Sequence, residues 1–557
     1  MTDEIDNSFT LTFLGGVGEI GRNCTVLKYK NSMLLIDCGL MFPTDDMPGV
    51  DVVLPDLSFL ETQEEELVGV VLTHGHEDHI GALSYLLRQR NVSIYGSSLT
   101  IELAAQRINE SRMTDRANFV KVSDLSRHKI GPFDVEFIPV AHSVPEGFAL
   151  AIHMEDGIIL HSGDFKIDLS PIDGRRTDLT RIGYLASTEG IKLLLADSTN
   201  AERPGLSESE SLVQDSLLKI FEKANGRRVI VACFASHIHR IDELLQTCLA
   251  TGRKVGLLGR SMVRNVSLAT ELGLLRVPDN LVVGIDELEK LPPEETCIIS
   301  TGSQGEPLSA LSLLAGGDYR GISVGDKDMV ILSSQPIPGN ERAISGIING
   351  LMKKGADVIH SGVAFVHASG HARQGELAML LSIAKPEFFI PVHGEYRHLS
   401  AHASLAVKSG IKKENTIVVL DGDSIEFTEK GFKRLKKVRA GYVYVDGLDG
   451  DLEEQVLRDR KLLSTDGVIA CMVVIDRNNL TIVGTPELSS LGFVDSSDRK
   501  NVLKSSIDMV TKEVEEVLAK GSYDLDNLKL HLRKALSRSL SHATKRRPMI
   551  IPIVTEV

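Results

Sequence analysis

The stretch Val70–Leu83, VVLTHGHEDHIGAL, places His74, His76, Asp78 and His79 within six positions. A buried imidazole or carboxylate is costly unless it is paired or bound to metal. Four potential ligands packed this closely therefore constrain the fold more than any other feature of the chain. The preceding LVGVVL is a short, β-branched apolar run that reads as a buried strand. DHIGALSYLLRQR has helical spacing at Ile80, Leu83, Leu86 and Leu87. The ligands thus sit where a strand ends and a helix begins. There His74 and His76 can point together while Asp78 and His79 turn toward a neighbouring point, so one segment can serve two metal ions. Imidazole and carboxylate donors suit zinc or manganese.

The same pattern recurs along the chain. VEFIPVAH is a strand-like run that delivers His142, GIILHSGDF delivers Asp164, EFFIPVHGEYRHL delivers His393, and MLLIDCG delivers Asp37. An apolar strand with a ligand-type residue at its C-terminal end is how sheet-based active sites are assembled. The sequence also holds a literal G-x-G-x-x-G at Gly16, Gly18 and Gly21. A dinucleotide site needs a helix directly after it. CTVLKYKNSMLLIDCG instead reads as two strands around a turn, so these glycines make a loop between strands.

At 557 residues the chain is too long for one core, and two or three domains are expected. Hydrophobic content of 42% with 25% charged residues describes a soluble globular protein. No apolar run approaches membrane-spanning length, and the acidic start MTDEIDNSFT lacks the regions of a signal peptide. The six cysteines are scattered and form no C-x-x-C, so they read as reduced, buried thiols of a cytoplasmic protein. A net charge of −15 argues against broad electrostatic attraction to nucleic acid but leaves room for a local basic groove.

In order, Asp37, HGHEDH, His142 and Asp164 resemble the metallo-β-lactamase superfamily. The fold class this implies is α/β, an αββα sandwich with a dinuclear centre at one edge. By that resemblance one metal takes His74, His76 and His142, the other takes Asp78, His79 and His393, and Asp164 bridges both. Asp37 matches an aspartate that supports the ligands and water from behind. His393 follows Asp164 by 229 positions, enough for an inserted domain. KLLLADSTN delivers Asp197, and alternating strand and helix patterns follow, as in RRVIVACFAS, HRIDELLQTCLATG and KVGLLG. This layout resembles the β-CASP nucleases, whose motifs fall on Asp197, His371 and His393. GGVGEIGRN, DCGLMFP, HGHEDHIGAL, ADSTN, FASHIHR, HASGHA and PVHGEYRHL are similar to the ribonuclease J family across essentially the full chain, more loosely after residue 450. One departure is FASHIHR, where that family leads one to expect asparagine in place of His237.

Hydrolysing a phosphodiester requires a nucleophile, charge relief on the phosphate and a proton for the departing oxygen. Two metal ions roughly 3.5–4 Å apart arm a water and clamp the phosphate oxygens. His371 is the candidate general acid, held and kept protonated by Asp197. The expected products are a 5′-phosphorylated nucleotide and a 3′-hydroxyl end. Ser369 and Gly370 open the helical run ARQGELAMLL and offer a hydroxyl and backbone N–H groups to a terminal phosphate. The resemblance implies a monophosphate pocket of Phe234, Ala235 and Ser236 with His367, Ala368, Ser369, Gly370 and His371. It also implies a 5′→3′ exoribonuclease that can cut internally, acting in RNA maturation and decay. With no tryptophan in the chain, base stacking falls to side chains such as Phe234 and Tyr396. The alternatives are a small-molecule metallo-hydrolase on the same scaffold and a non-catalytic RNA-binding paralogue. The long insert with Asp197 and His371 speaks against the first, and the presence of all seven ligands against the second.

The lactamase-like core is expected over residues 1–205 and again over 365–446, with the β-CASP domain at 206–364 between them. Residues 447–465 are polar and rich in Gly and Asp and read as a linker, and 466–557 as a small C-terminal α+β domain. Its stretch NLKLHLRKALSRSLSHATKRRP carries seven Lys or Arg and no acid, either a solvated helix face or a surface for RNA or a partner. The resemblance implies that this domain supports a homo-oligomer, dimer or tetramer, and that other RNA-decay proteins are partners. It further implies a structural calcium at Gly49 (carbonyl), Asp51 and Asp446.

Overall fold

The structure, a computed structural model, describes residues 8–44, 46–306, 308–319, 321–337, 339–447, 451–493 and 499–557. The chain forms two compact units. One takes the chain up to Phe42 and from Val53 to Val443, and the other takes Pro43–Val52 with Tyr444–Val557. Among the described residues no helix is long and apolar enough to cross a membrane.

Two sheets face one another in the first unit. The eight-stranded sheet runs in the order Gly431–Arg434, Ser424–Thr428, Phe9–Gly15, Cys24–Tyr29, Ser32–Ile36, Glu66–Val71, Val92–Gly96 and Ala117–Lys121. The six-stranded sheet runs Phe388–Val392, Ile191–Asp197, Gly157–His161, Gly147–Met154, Phe133–Val140 and Arg127–Ile130. Alternate residues of each strand point inward, so Phe9, Leu11 and Phe13 meet Phe133, Val135, Phe137, Leu193 and Leu195 in one core. Each such side chain contributes roughly 1.5–3 kcal/mol by leaving water, which holds the sheets face to face. The opposite residues of the second sheet, such as Leu160, Leu194 and Ala196, pack under the helices Leu179–Thr188, Gln374–Ala384 and Tyr396–Lys408. Helix Ser98–Glu110 covers the far strands of the first sheet. The layers are therefore α, β, β and α.

Strand direction decides where the site lies. Ser32–Ile36 and Glu66–Val71 are parallel neighbours. In the other sheet Gly157–His161, Ile191–Asp197 and Phe388–Val392 are parallel neighbours too. Two antiparallel steps bring Phe133–Val140 into the same direction. The C-terminal ends of all six strands thus open on one edge, where Asp37, His74, His142, Asp164, Asp197 and His393 follow them.

The insert is a five-stranded sheet ordered Lys254–Leu258, Thr296–Ser300, Arg228–Ala232, Asp328–Leu332 and Asp357–Ile359, with every pairing parallel. Its strands are continuous apolar runs, as a sheet covered by helices on both faces requires.

In the second unit, Val468–Asp476 pairs with Thr481–Ile482 and Glu487–Leu491 in antiparallel fashion and with Met549–Glu556 in parallel. Helices Arg499–Leu518 and Leu525–Thr544 close one face through Val510, Val514, Leu528, Leu532, Leu536 and Leu540. The linker expected over 447–465 is in large part the helix Glu454–Asp466, in which Leu457 is the buried residue. The stretch is polar enough to resemble a linker, yet EQVLRDRKLL consists mostly of good helix formers and propensity carries it. Residues 448–450 of that span lie outside the described residues.

The glycine loop lies between strands, as its sequence requires, with Gly16, Gly18 and Gly21 all at positive φ. It is anchored by Arg22, whose guanidinium is fully buried between Glu19 and Asp421, at 2.7 Å from each, and stacks on Tyr442 at 4.3 Å. The anchor matters to the site because the Gly16 carbonyl accepts the backbone N–H of His393. Arg22→Ala leaves two carboxylates without their cation, and a loss of about 3 kcal/mol is expected. A lower thermal midpoint in calorimetry is the expected result, and an unchanged midpoint contradicts it.

Candidate active site

All seven expected ligands converge. His74 Nε2 lies 2.9 Å from His76 Nδ1, and His142 Nε2 lies 3.3 Å from that same nitrogen. Beside them Asp78 Oδ2 stands 3.1 Å from His393 Nε2 and 3.6 Å from His79 Nε2. Asp164 belongs to both groups, its Oδ2 lying 3.6 Å from His74 Nε2 and 3.3 Å from His79 Nε2. Among the described residues three overlapping sets have ligand atoms close enough for one ion: His74, His76, His142 and Asp164; Asp78, His79, His393 and Asp164; and Asp164, Asp197, His371 and His393.

The outer nitrogens are committed elsewhere, which turns the inner ones toward the centre. His79 donates Nδ1–H to Asp37 Oδ2 at 2.8 Å, and His142 donates Nδ1–H to the Gly370 carbonyl at 2.8 Å. His393 Nδ1 lies 2.9 Å from Thr199 Oγ1, and His74 Nδ1 lies 3.1 Å from Thr73 Oγ1. Asp37 also accepts the Thr73 backbone N–H and hydroxyl, at 2.8 and 2.9 Å. Fixing a ring through its far nitrogen is how metal-binding histidines are oriented. The backbone bends to achieve this, since Asp37 and His393 both take positive φ directly after their strands. Gly39 permits the close approach of the His74–His79 segment, because a Cβ there would lie 1.6 Å from the Asp78 carbonyl oxygen.

Electrostatics test whether the residues fit divalent cations. Burial pushes His74 and His142 well below the usual imidazole range and His76 to about 4, so their lone pairs are free at neutral pH. His79 and His393 move the other way, His393 to about 10, because neighbouring carboxylates, Asp164 foremost, outweigh the effect of burial. The second set therefore draws positive charge to itself, by protons or by a metal. Neutral imidazoles beside a carboxylate excess are a donor set that fits divalent metal ions.

His371 and Asp197 stand next to the metal sets. His371 Nδ1 lies 2.7 Å from Asp197 Oδ2, and Asp197 Oδ1 accepts the Thr199 backbone N–H and hydroxyl. Burial alone would lower the His371 pKa, but the charge and hydrogen bond of Asp197 raise it above the ordinary imidazole value. Asn200 donates to Ser369 Oγ and to the His371 carbonyl, tying motif ADSTN to motif HASGH. Gly370 must be glycine, since a Cβ would meet His142 Cε1 at 2.8 Å.

A cavity of about 430 Å³, counting its open mouth, begins at His142, Ala368, Ser369 and Gly370. Its far wall is Lys166, Glu210, His237 and His239, not Phe234, Ala235 and Ser236, which occupy the half-buried turn before His237 and do not line it. His367 does not line it either, and Tyr396 is exposed. In the second unit Gly49 and Asp446 converge on one cation, as the Arg460 guanidinium bonds the Gly49 carbonyl and the Asp446 carboxylate. Asp51 nearby accepts the Gly447 N–H.

Several contributors escape sequence reading. Asn23 Nδ2 lies 3.0 Å from His79 Nε2 and donates to the Asp78 carbonyl, and Thr73 and Thr199 buttress three ring nitrogens. The asparagine is the last residue of GGVGEIGRN and the threonines adjoin ligand motifs, but no spacing rule singles them out.

Comparisons with known proteins agree in pattern. Family profiles described as "Metallo-beta-lactamase superfamily", "Ribonuclease J, beta-CASP domain", "Zn-dependent metallo-hydrolase RNA specificity domain" and "Ribonuclease J C-terminal domain" match residues 17–203, 226–351, 356–418 and 455–557. Ribonuclease J of Mycolicibacterium smegmatis is 40% identical over 549 residues, covering 98% of this chain and 97% of that one. Ribonuclease J of Mycobacterium tuberculosis is 41% identical with the same coverage. That of Corynebacterium glutamicum is 38% identical over 98% of this chain and 76% of its own. A crystal structure of a protein of unknown function from Enterococcus faecalis V583 aligns with a TM-score of 0.53 at 16% identity, over 75% of this chain and 100% of that one, a likeness of fold.

Two substitutions probe the centre. Asp164→Asn removes the carboxylate common to both sets, and loss of both ions is expected in elemental analysis of the purified protein. Asp37→Ala leaves every ligand in place but frees His79, and an affinity lower by about 10–100-fold is expected in chelator competition. Full metal content in the first variant, or unchanged affinity in the second, contradicts the assignment.

Proposed function

The chain belongs to the ribonuclease J family and is a metal-dependent ribonuclease, and on that premise we propose that it degrades 5′-monophosphorylated RNA from its 5′ end, with internal cleavage as a second activity, in RNA maturation and decay. The observation that carries the 5′-end preference is the cavity beyond His142, Ser369 and Gly370, which lies directly beside the His371–Asp197 pair. A recess beside the acid gives a terminal phosphate a place to be held, whereas an internal segment has to pass its mouth.

The ligands proposed are His74, His76 and His142 for one ion and Asp78, His79 and His393 for the other, with Asp164 shared. Zinc and manganese both suit this donor set. When bound, two such ions supply Lewis acidity to the phosphate and lower the pKa of water. The chain's own residues do the rest. Asp197 accepts Nδ1–H of His371 and stays ionised, because the charge of His371 overcomes the effect of burial. That leaves His371 Nε2 as the acidic nitrogen, which protonates the departing 3′ oxygen. Ser369, with the backbone of Ala368 and Gly370, positions the nucleotide on the 5′ side of the cut. The products are a nucleoside 5′-monophosphate and a shortened RNA.

We also propose a cytoplasmic location and a homo-oligomer. Six buried free thiols support the first. The second finds support in an exposed apolar row on the C-terminal sheet, Met472, Ile551 and Ile553. A calcium ion at Gly49, Asp51 and Asp446 would take the place of the Arg460 guanidinium, exchanging one cation for another.

The test uses 5′-labelled, monophosphorylated RNA and metal-loaded enzyme. Wild type is expected to release nucleoside 5′-monophosphate from the first turnover. His371→Ala is expected to keep its metal and its KM while kcat falls by about 10²–10⁴-fold. Label released first in oligonucleotides contradicts the 5′-end reading, and an unchanged kcat contradicts the role of His371.

A further inference from the structure

We infer that Thr199 is a positioning residue for the metal site and the acid at once, its single hydroxyl fixing the proposed ligand His393 on one side and the carboxylate of the acid pair on the other. The inference rests on the reading of His393 as a ligand and His371 as the acid, and it explains how two functions with shared neighbours stay apart.

Strands Ile191–Asp197 and Phe388–Val392 end side by side, with Asp197 paired to Val392. The turns that follow run together, and the Ser198 N–H reaches the His393 carbonyl at 3.3 Å. Within Asp197–Asn200 each side chain holds a different partner. Asp197 takes His371, Ser198 Oγ lies 3.0 Å from Nδ1 of the buried His402, and Asn200 donates to Ser369 and to the His371 carbonyl. Thr199 faces the metal site. Its Oγ1 lies 2.8 Å from Asp197 Oδ1, 2.9 Å from His393 Nδ1 and 3.3 Å from the His393 carbonyl.

A hydroxyl has one proton to give. The carboxylate of Asp197 only accepts, and it is nearer than the carbonyl, so the proton goes to Asp197 Oδ1. His393 Nδ1 is then the donor to Thr199 Oγ1. A neutral imidazole carries one proton, which leaves Nε2 with its lone pair, 3.1 Å from Asp78 Oδ2 in the second metal set. Asp197 is not one of the seven ligands, yet through Thr199 it sets the tautomer of one. The hold works in the other direction too. Oδ1 of Asp197 is taken by the Thr199 N–H and hydroxyl, so Oδ2 is left for His371.

What the hydroxyl prevents is visible in the third set, Asp164, Asp197, His371 and His393. His393 Nδ1 is 3.5 Å from Asp197 Oδ1 and 3.5 Å from Asp164 Oδ1. Without Thr199 Oγ1 those carboxylates are the acceptors in reach. A ring turned toward them draws Asp197 from His371 and moves Nε2 from Asp78. One hydroxyl thus keeps metal binding and proton transfer on separate groups.

The experiment compares wild type with Thr199→Val, which keeps the shape but not the hydroxyl, and Thr199→Ser, which restores it. The backbone N–H of residue 199 still serves Asp197 in both, and Thr199→Ala repeats the deletion should valine crowd the turn. In the valine variant kcat at saturating metal is expected to fall about tenfold with KM unchanged, the effect of one lost hydrogen bond to a charged group. Affinity for the second ion, measured by chelator competition, is expected to fall by about 10–100-fold. Thr199→Ser is expected to keep both near wild type. Adding Thr199→Val to His371→Ala is expected to lower kcat no further, because Thr199 acts on kcat through His371. An unchanged kcat in His371→Ala alone sinks the acid reading and the inference with it. Where His371→Ala does fall, an unchanged kcat or an unchanged ion affinity in the valine and alanine variants overturns the inference only. Losses in serine as large as in valine, or a further loss in the double variant, overturn it as well.

Discussion

Buried Asp37, Asp164 and Asp197 stand together with half-buried Asp78 at one edge of the sandwich, and like charges so close are tolerable only with cations among them. Everything else at the site follows from that demand. Asp37, Asp164 and Asp197 are fixed by strands whose ends cannot move without breaking the core between the sheets, and Asp78 by the short helix Glu77–Ile80. The imidazoles are fixed through their outer nitrogens, by Asp37, the Gly370 carbonyl and two threonine hydroxyls. In the second set the cation demand is strong enough to hold protons on His79 and His393. A pair of divalent ions satisfies the same demand with the chemistry that RNA hydrolysis needs.

The insert contributes through hydrogen bonds more than through ligands. Arg240, fully buried, bonds Glu243 on its own helix, Glu210 at the entry to the insert, Ser333 after a central strand and the Val366 carbonyl. The loop that carries Ser369, Gly370 and His371 is therefore placed by the insert on one side and by Asn200 and His142 on the other. Both domains build the cavity, which explains why a chain that could bind its metals on the sandwich alone carries an added sheet.

Much of this was legible in the sequence because strands announce their ends. Asp37, His74, His142, Asp164 and His393 each follow an apolar run, and parallel pairing then brings the ends to one edge. The spacing also exposed the glycine loop as a connection between strands. What stayed hidden depends on hydrogen bonds that span the chain. Asn23 reaches Asp78 and His79, Thr199 reaches His393, and no local pattern encodes either contact. Phe234–Ser236 occupy the turn after strand Arg228–Ala232, and His237 and His239 line the cavity beside Gly370. The helix Glu454–Asp466 was missed since a mostly polar helix and a linker share a composition.

Anomalous diffraction from crystals of metal-loaded protein tests the central claim most directly. The expected map holds two peaks, one among His74, His76 and His142 and one among Asp78, His79 and His393, with Asp164 reaching both. A single peak, or ions bound away from these side chains, contradicts it.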